Sequence, residues 1–137
     1  MPKQYWLVKS ESEVYSFVQL VKDGKTRWDG VRNFQARNNL RAMKVGDPVL
    51  VYHSQTDKAV VGIAEVAREH YPDPSDESGT FSVVELGAKK ALARPVTLAQ
   101  IKSTPALASM ALVKQSRLSV TPVTKAEYDA IVKLGGG

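Results

Sequence analysis

The segment Pro48-Val49-Leu50-Val51-Tyr52-His53, followed after a short polar stretch by Ala59-Val60-Val61-Gly62-Ile63-Ala64-Glu65-Val66-Ala67, decides the fold class. The first run is rich in β-branched and apolar residues and reads as a strand. Pro48 stands at its edge, where a strand tolerates proline. The second run is apolar apart from Glu65. Gly62 inside it marks a bulge or a close backbone approach. Ser54-Gln55-Thr56-Asp57-Lys58 between them reads as a hairpin loop.

Further strands lie on both sides of this pair. Tyr5-Trp6-Leu7-Val8 is a short apolar run suited to a buried strand. Thr80 to Leu86 reads as another long strand. Arg117-Leu118-Ser119-Val120-Thr121-Pro122-Val123 alternates apolar and polar residues, as a half-buried strand does. Helix signals fall between the strands. Ser16 and Gln19 form a capping-box pattern and Gly24 suits a C-terminal stop, which predicts a short helix over Phe17 to Lys22. Asp29-Gly30 is a turn signal, and Val31 to Met43 then reads as a helix that ends before Gly46. Thr97 with Gln100 opens a helix near Leu98 to Lys102, and Pro105 to Leu112 fits a further helical turn or two. Thr124 with Glu127 opens a last helix that runs to Leu134. Tyr71 to Gly79 reads as an exposed acidic loop. The result is about five strands and four helices in mixed order, an α+β plan in one domain over residues 1–137. Short strands linked by hairpins and flanked by helices suit a small, partly closed barrel.

The chain of 137 residues is 43 % hydrophobic and 24 % charged, enough for an ordinary core. No apolar run approaches the roughly 18 residues of a membrane span, so no membrane role is expected. Met1-Pro2-Lys3-Gln4-Tyr5-Trp6 lacks the apolar middle region of a signal peptide and runs straight into a strand, where the mature chain is expected to begin. The absence of cysteine excludes disulfides, thiolate zinc sites and a cysteine nucleophile. It fits a cytoplasmic protein, nucleoid-associated or nuclear according to the organism.

Charge is blocked along the chain. Lys22 to Lys44 holds seven basic and two acidic residues, and Ala88 to Arg117 holds six basic residues and no acid. Asp57 to Gly87 between them holds two basic and seven acidic residues. If the basic segments meet, they form a face suited to phosphate. Chance clustering on a solvated surface accounts for the charges equally well.

Trp28-Asp29-Gly30-Val31-Arg32-Asn33-Phe34-Gln35-Ala36-Arg37-Asn38-Asn39-Leu40 carries the chemistry. Trp28 brings a flat apolar face, the amides bring paired donors and acceptors, and the arginines bring planar cationic forks. Such a set suits a pocket that stacks a nucleobase, reads its edge and holds its phosphate. At helical spacing Asn33, Arg37 and Arg41 share one face. Singly, Asn33 also fits a helix cap and Arg37 a partner of an acid. Trp6, inside an apolar run, reads as core. Trp28, among polar residues, is expected to be partly exposed.

Lys9-Ser10-Glu11 and Tyr52-His53-Ser54 end strands, where small folds present polar groups. Arg117 and Ser119 should share a face opposite Leu118, which should point to the core. No sequence motif gives His53 a nucleophile or an acid partner, and His53 with His70 shows no metal-ligand spacing. No phosphate loop, dinucleotide fingerprint, nucleophile elbow or metalloprotease helix occurs. No catalytic residue, metal or cofactor is expected.

Taken in order, several motifs resemble the EVE domain family. They are Tyr5-Trp6-Leu7-Val8-Lys9-Ser10-Glu11, Trp28 to Asn38, Gly46-Asp47, Tyr52-His53-Ser54, Val61-Gly62-Ile63-Ala64, Tyr71-Pro72-Asp73, Arg94-Pro95-Val96 and Arg117-Leu118-Ser119-Val120. Ser12 departs from the proline expected after Lys-Ser-Glu and loosens the loop that leaves the first strand. The resemblance implies a PUA-like pseudo-β-barrel of five or six strands flanked by helices. It also implies a cleft that holds a flipped, modified base, lined by Lys9, Ser10, Trp28, Val31, Arg32, Asn33, Tyr52, His53, Ser54, Arg117, Leu118 and Ser119. The expected function is non-enzymatic binding of DNA or RNA carrying a modified base, by a monomer or weak dimer. In it Trp28 and Tyr52 stack the base, Asn33, Ser54 and groups near Lys9 and Ser10 read its edge, and Arg32, Arg37 and Arg117 hold phosphates. The competing readings are a small nucleotide hydrolase with His53 as base and a pocket for a small metabolite.

Overall fold

The computed structural model describes residues 4–11, 15–29, 31, 33–54, 58–115 and 117–136. Ser12, Gly30, Arg32 and Gln55 to Asp57 of the expected hairpin loop lie outside them.

The chain runs β1 (Tyr5–Ser10), α1 (Phe17–Asp23), β2 (Lys25–Trp28), α2 (Phe34–Ala42), β3 (Pro48–His53), β4 (Ala59–Pro72), β5 (Ser82–Thr97), α3 (Leu98–Ser103), α4 (Ala111–Lys114), β6 (Val120–Val123) and α5 (Lys125–Leu134). Among the described residues, six strands form one mixed sheet in the order β2-β5-β4-β3-β1-β6. β1 and β3 are parallel, and the other neighbours are antiparallel. The fold is α+β, and the sheet runs from β2 to β6 without closing into a barrel.

Strand alternation divides the interior in two. Trp6, Val8, Val49 and Val51 face one core with α1, α2 and Trp28. Leu7, Leu50 and Tyr52 face the other with Ile101, Leu112 and Ile131 of α3, α4 and α5. Asp47 ties the first core to the chain start. Its carboxylate accepts from the backbone of Gln4 at 3.3 Å and Lys44 at 3.0 Å, and from the Trp6 indole at 3.1 Å.

The helix signals translate directly into caps. Ser16 accepts from the Gln19 backbone, and Gly24 ends α1 at φ +81, a conformation that suits glycine. Both reciprocal bonds of the capping box form at Thr97–Gln100 and at Thr124–Glu127. Gly62 is both a register shift and a close approach, since a Cβ there would lie 2.4 Å from the Phe17 ring.

Four expectations change. α2 starts at Phe34 rather than Val31, because Asn33 is extended and its Oδ1 accepts from the Ala36 backbone at 2.9 Å. Lys25-Thr26-Arg27-Trp28 is a strand, held by pairing with Val84 to Gly87 rather than by its own polar composition. β4 and β5 run well past the expected ends, through register shifts that let long strands bend. Arg117 to Ser119 precede β6 instead of opening it.

Candidate functional site

A cleft of about 400 Å³ opens between the end of β1, the entry to α1 and β2. Lys9, Ser10, Tyr15, Thr26, Arg27, Trp28 and Asp29 line it. Its volume falls in the usual range for small-ligand sites.

Two rings form the apolar wall. Trp28 is only 9 % exposed and belongs to the first core, so the indole is not the open platform expected from its polar neighbours. β2 explains this: Thr26 and Trp28 share the face turned inward, away from Lys25. Tyr15 is the more exposed ring. Its centroid lies 6.2 Å from that of Trp28, with the planes at 85°, an edge-to-face pair. The Tyr15 hydroxyl donates to Asp23 Oδ2 at 2.7 Å. Burial, then the Asp23 carboxylate, raises the Tyr15 pKa, so the phenol stays protonated. The same hydrogen bond lowers the pKa of Asp23.

The polar wall comes from the end of β1. Ser10 Oγ donates to the Tyr15 carbonyl, which fixes the ring's backbone to the strand. Lys9 is half-buried, and burial lowers its amine pKa. A partly desolvated cation in a cleft binds an anion more strongly than one in open water. Arg27 lies 3.6 Å from Asp29, so its charge is partly balanced.

The structure brings several expected residues to this end of β1. Ser10 pairs with His53, and the Ser54 backbone donates to Ser10 at 2.9 Å. The Lys9 backbone donates to the Ser119 carbonyl at 2.9 Å. Others lie apart. Tyr52 is buried in the opposite core, because alternation along β3 turns it away from Val51, and it cannot stack a base in this cleft. Val31 is buried in the first core, as is Leu118. Asn33, Arg117 and Leu118 line a second recess with Gln35, Lys114 and Gln115. Arg37 sends Nε and Nη2 to Asn38 Oδ1 at 3.1 and 2.9 Å, and Nη1 to the Thr80 carbonyl at 3.4 Å, so its donor edge is largely occupied.

His53 is buried, and its Nε2 accepts from the Phe17 backbone at 3.1 Å. That lone pair is then unavailable to a substrate proton. His53 and His70 lie far apart in character, one buried and one exposed at the end of β4. Among the described residues no group of three or more side chains is placed to hold a metal ion.

Sequence reasoning missed Tyr15, Thr26, Arg27 and Asp29. The available signal for Tyr15 was its place just before the Ser16 cap, where apolar side chains often brace a helix start. For Thr26 it was the alternation Lys25-Thr26-Arg27-Trp28, which reads as a strand once a partner is known.

The EVE domain profile matches residues 4–134. The chain belongs to the EVE domain family. Human thymocyte nuclear protein 1 is 33 % identical over 164 aligned positions, which cover 95 % of this chain and 73 % of the human protein. The solution structure of a Rhodopseudomonas palustris protein is 52 % identical with a TM-score of 0.93, covering 97 % of this chain and 93 % of that one. The crystal structure of human THYN1 in complex with DNA containing 5-methylcytosine is 32 % identical with a TM-score of 0.90, covering 98 % and 99 % of the two chains. This EVE domain therefore has the PUA-like α+β fold of its relatives. Among the described residues, no helix is long and apolar enough to cross a membrane.

Proposed function

We propose that this EVE domain binds nucleic acid and holds a modified base in the Lys9–Trp28 cleft, without catalysing a reaction. One observation carries this reading. The cleft combines two aromatic rings with a half-desolvated lysine, in a chain that superimposes on a relative crystallised with 5-methylcytosine DNA.

The roles follow from placement. Tyr15 and the exposed rim of Trp28 contact the base, with about 1–3 kcal/mol for each stacked base. Ser10 and Thr26 read its polar edge. Lys9 meets a phosphate or an electronegative base atom. Arg117 and Lys114, in the second recess, hold the backbone. Taking a base out of a duplex costs a few kcal/mol. Stacking and cleft hydrogen bonds are of the same size, so preference for a modified base rests on the fit around its substituent.

The hydrolase reading loses its base, because the Phe17 N–H occupies His53 Nε2. The test is titration of matched duplexes, one with 5-methylcytosine and one with cytosine, against the protein at physiological salt. Tighter binding of the modified duplex is expected. Equal affinities would remove the base-reading role.

A further inference from the structure

We propose that Phe34, Phe81 and the Arg37 guanidinium form a second stacking platform, outside the cleft, for an unpaired base of single-stranded nucleic acid. Phe34 opens α2 and is 59 % exposed. A lone exposed apolar side chain needs no explanation, but this one is part of an ordered stack. Its ring centroid lies 5.4 Å from that of Phe81 with the planes 26° apart, and the Arg37 guanidinium carbon lies 5.0 Å from the Phe34 centroid.

The guanidinium is held in place by its edge. Its hydrogen bonds run to Asn38 Oδ1 and the Thr80 carbonyl, both neutral acceptors. Its plane is thereby oriented, and stacking uses the face rather than the edge. Aromatic rings and arginine planes are the two surfaces on which unpaired bases stack.

The Phe34 side of the stack carries cations, while Phe81 follows the acidic residues Asp73, Asp76 and Glu77. Arg41 donates to Ser82 Oγ at 3.0 Å and to the same Thr80 carbonyl at 3.1 Å. Among the described residues, neither Arg37 nor Arg41 forms an ion pair, whereas Lys25, Arg27, Lys44, Arg68 and Lys89 do. The acid nearest in sequence to Phe81 that touches it, Asp76, accepts from the Phe81 backbone at 2.8 Å and from Ser78. On the other side of the same helix end, Gln35 donates to Gln115 at 2.9 Å, beside Lys114 and Arg117. A strand that stacks on Phe34 therefore has cations on both flanks for its phosphates.

This platform does not depend on the cleft. The test uses an unmodified oligothymidine strand and Phe34→Ala, with Phe34→Trp as the conservative counterpart. Both variants are expected to stay folded, since the side chain is exposed and only its contacts with Phe81 and Arg37 change. Phe34→Ala is expected to weaken strand binding about tenfold, and Phe34→Trp to retain or strengthen it. The ratio of affinities for methylated and plain duplex should be the same in all three proteins. If the wild-type protein fails to bind the strand, or if Phe34→Ala binds it like wild type, the platform is overturned. A wild-type dimer in sedimentation that Phe34→Ala dissolves also overturns it, since a second copy then covers the ring. If the wild-type protein ignores methylation while the Phe34 effect persists, the cleft reading falls and the platform stands.

Discussion

The Phe17 ring lies against the backbone of Gly62, so close that a Cβ on Gly62 would sit 2.4 Å from ring carbon Cζ. Phe17 is also the first residue of α1, and its N–H binds His53. One aromatic side chain thus seats the helix whose entry carries Tyr15, and so sets one wall of the cleft.

Gly62→Ala is expected to destabilise the protein by about 1–3 kcal/mol, the usual result of overpacking a filled core. Phe17 is buried and has no open space to swing into. Urea denaturation checks this, as a lower midpoint with an unchanged slope. A midpoint equal to wild type would show that the ring yields freely.

Asp47 presents a second structural test. Asp47→Ala removes one acceptor for three N–H groups, including the buried Trp6 indole. The loss should be roughly 3 kcal/mol, since hydrogen bonds to a charged acceptor are strong and orphaned donors are costly. Thermal melting should show a drop of several degrees, while Asp129→Ala, at an exposed pair on α5, should melt near wild type.

Tyr15→Leu should separate binding from folding better than Trp28→Ala. Trp28 belongs to the core, and its truncation costs about 3–5 kcal/mol of stability. Tyr15 is more exposed, so its loss acts mainly on the ligand. The expected result is a loss of about 1–3 kcal/mol in affinity for the methylated duplex and a smaller loss for the plain one. Parallel titrations of both duplexes read this difference.

Lys9 predicts a dependence on pH. Burial lowers its pKa, so the amine loses its proton below the ordinary lysine range. An anion bound beside it favours the charged form, so binding takes up a proton once the free amine is neutral. Affinity for oligonucleotide should therefore hold at neutral pH and fall as pH rises through the lowered lysine pKa. Arg27 and Asp29, 3.6 Å apart, also line the cleft, where burial and then Asp23 raise the Tyr15 pKa. Lys9→Arg should remove the alkaline fall. Folding carries the opposite sign: a lowered lysine pKa makes the free protein more stable as pH rises through that pKa.

Lys114 and Arg117 should behave as backbone contacts. Replacing either with alanine is expected to weaken methylated and plain duplexes equally and to lower the salt slope of binding by about one unit. Titration at several salt concentrations reads that slope. An unchanged slope would place the phosphates elsewhere.

Much of the fold was legible because its signals are local. Ser16, Thr97 and Thr124 cap helices through side chains that bond a backbone three residues away, so their effect needs no distant partner. The Val49–His53 and Ala59–Ala67 runs declare strands by their apolar content. Trp6 and Leu118 were readable as core for the same reason. β2 was not legible, since Lys25 to Trp28 is a polar strand that exists because β5 pairs with it. The candidate cleft was legible in part. Lys9, Ser10 and Trp28 meet in the cleft, but Tyr15 gave only a weak positional signal.

The order of residues alone settles the α+β class, the helix caps and the blocks of like charge, because short-range hydrogen bonding and composition suffice for these. Exposure and convergence come from the packed chain. Trp28 sinks into the core and Tyr52 turns to the far face through strand alternation across a particular sheet. Lys9, Ser10 and Tyr15 become neighbours of Trp28 because α1 and β2 pack against β1 and β5, and that proximity depends on contacts between segments far apart in sequence.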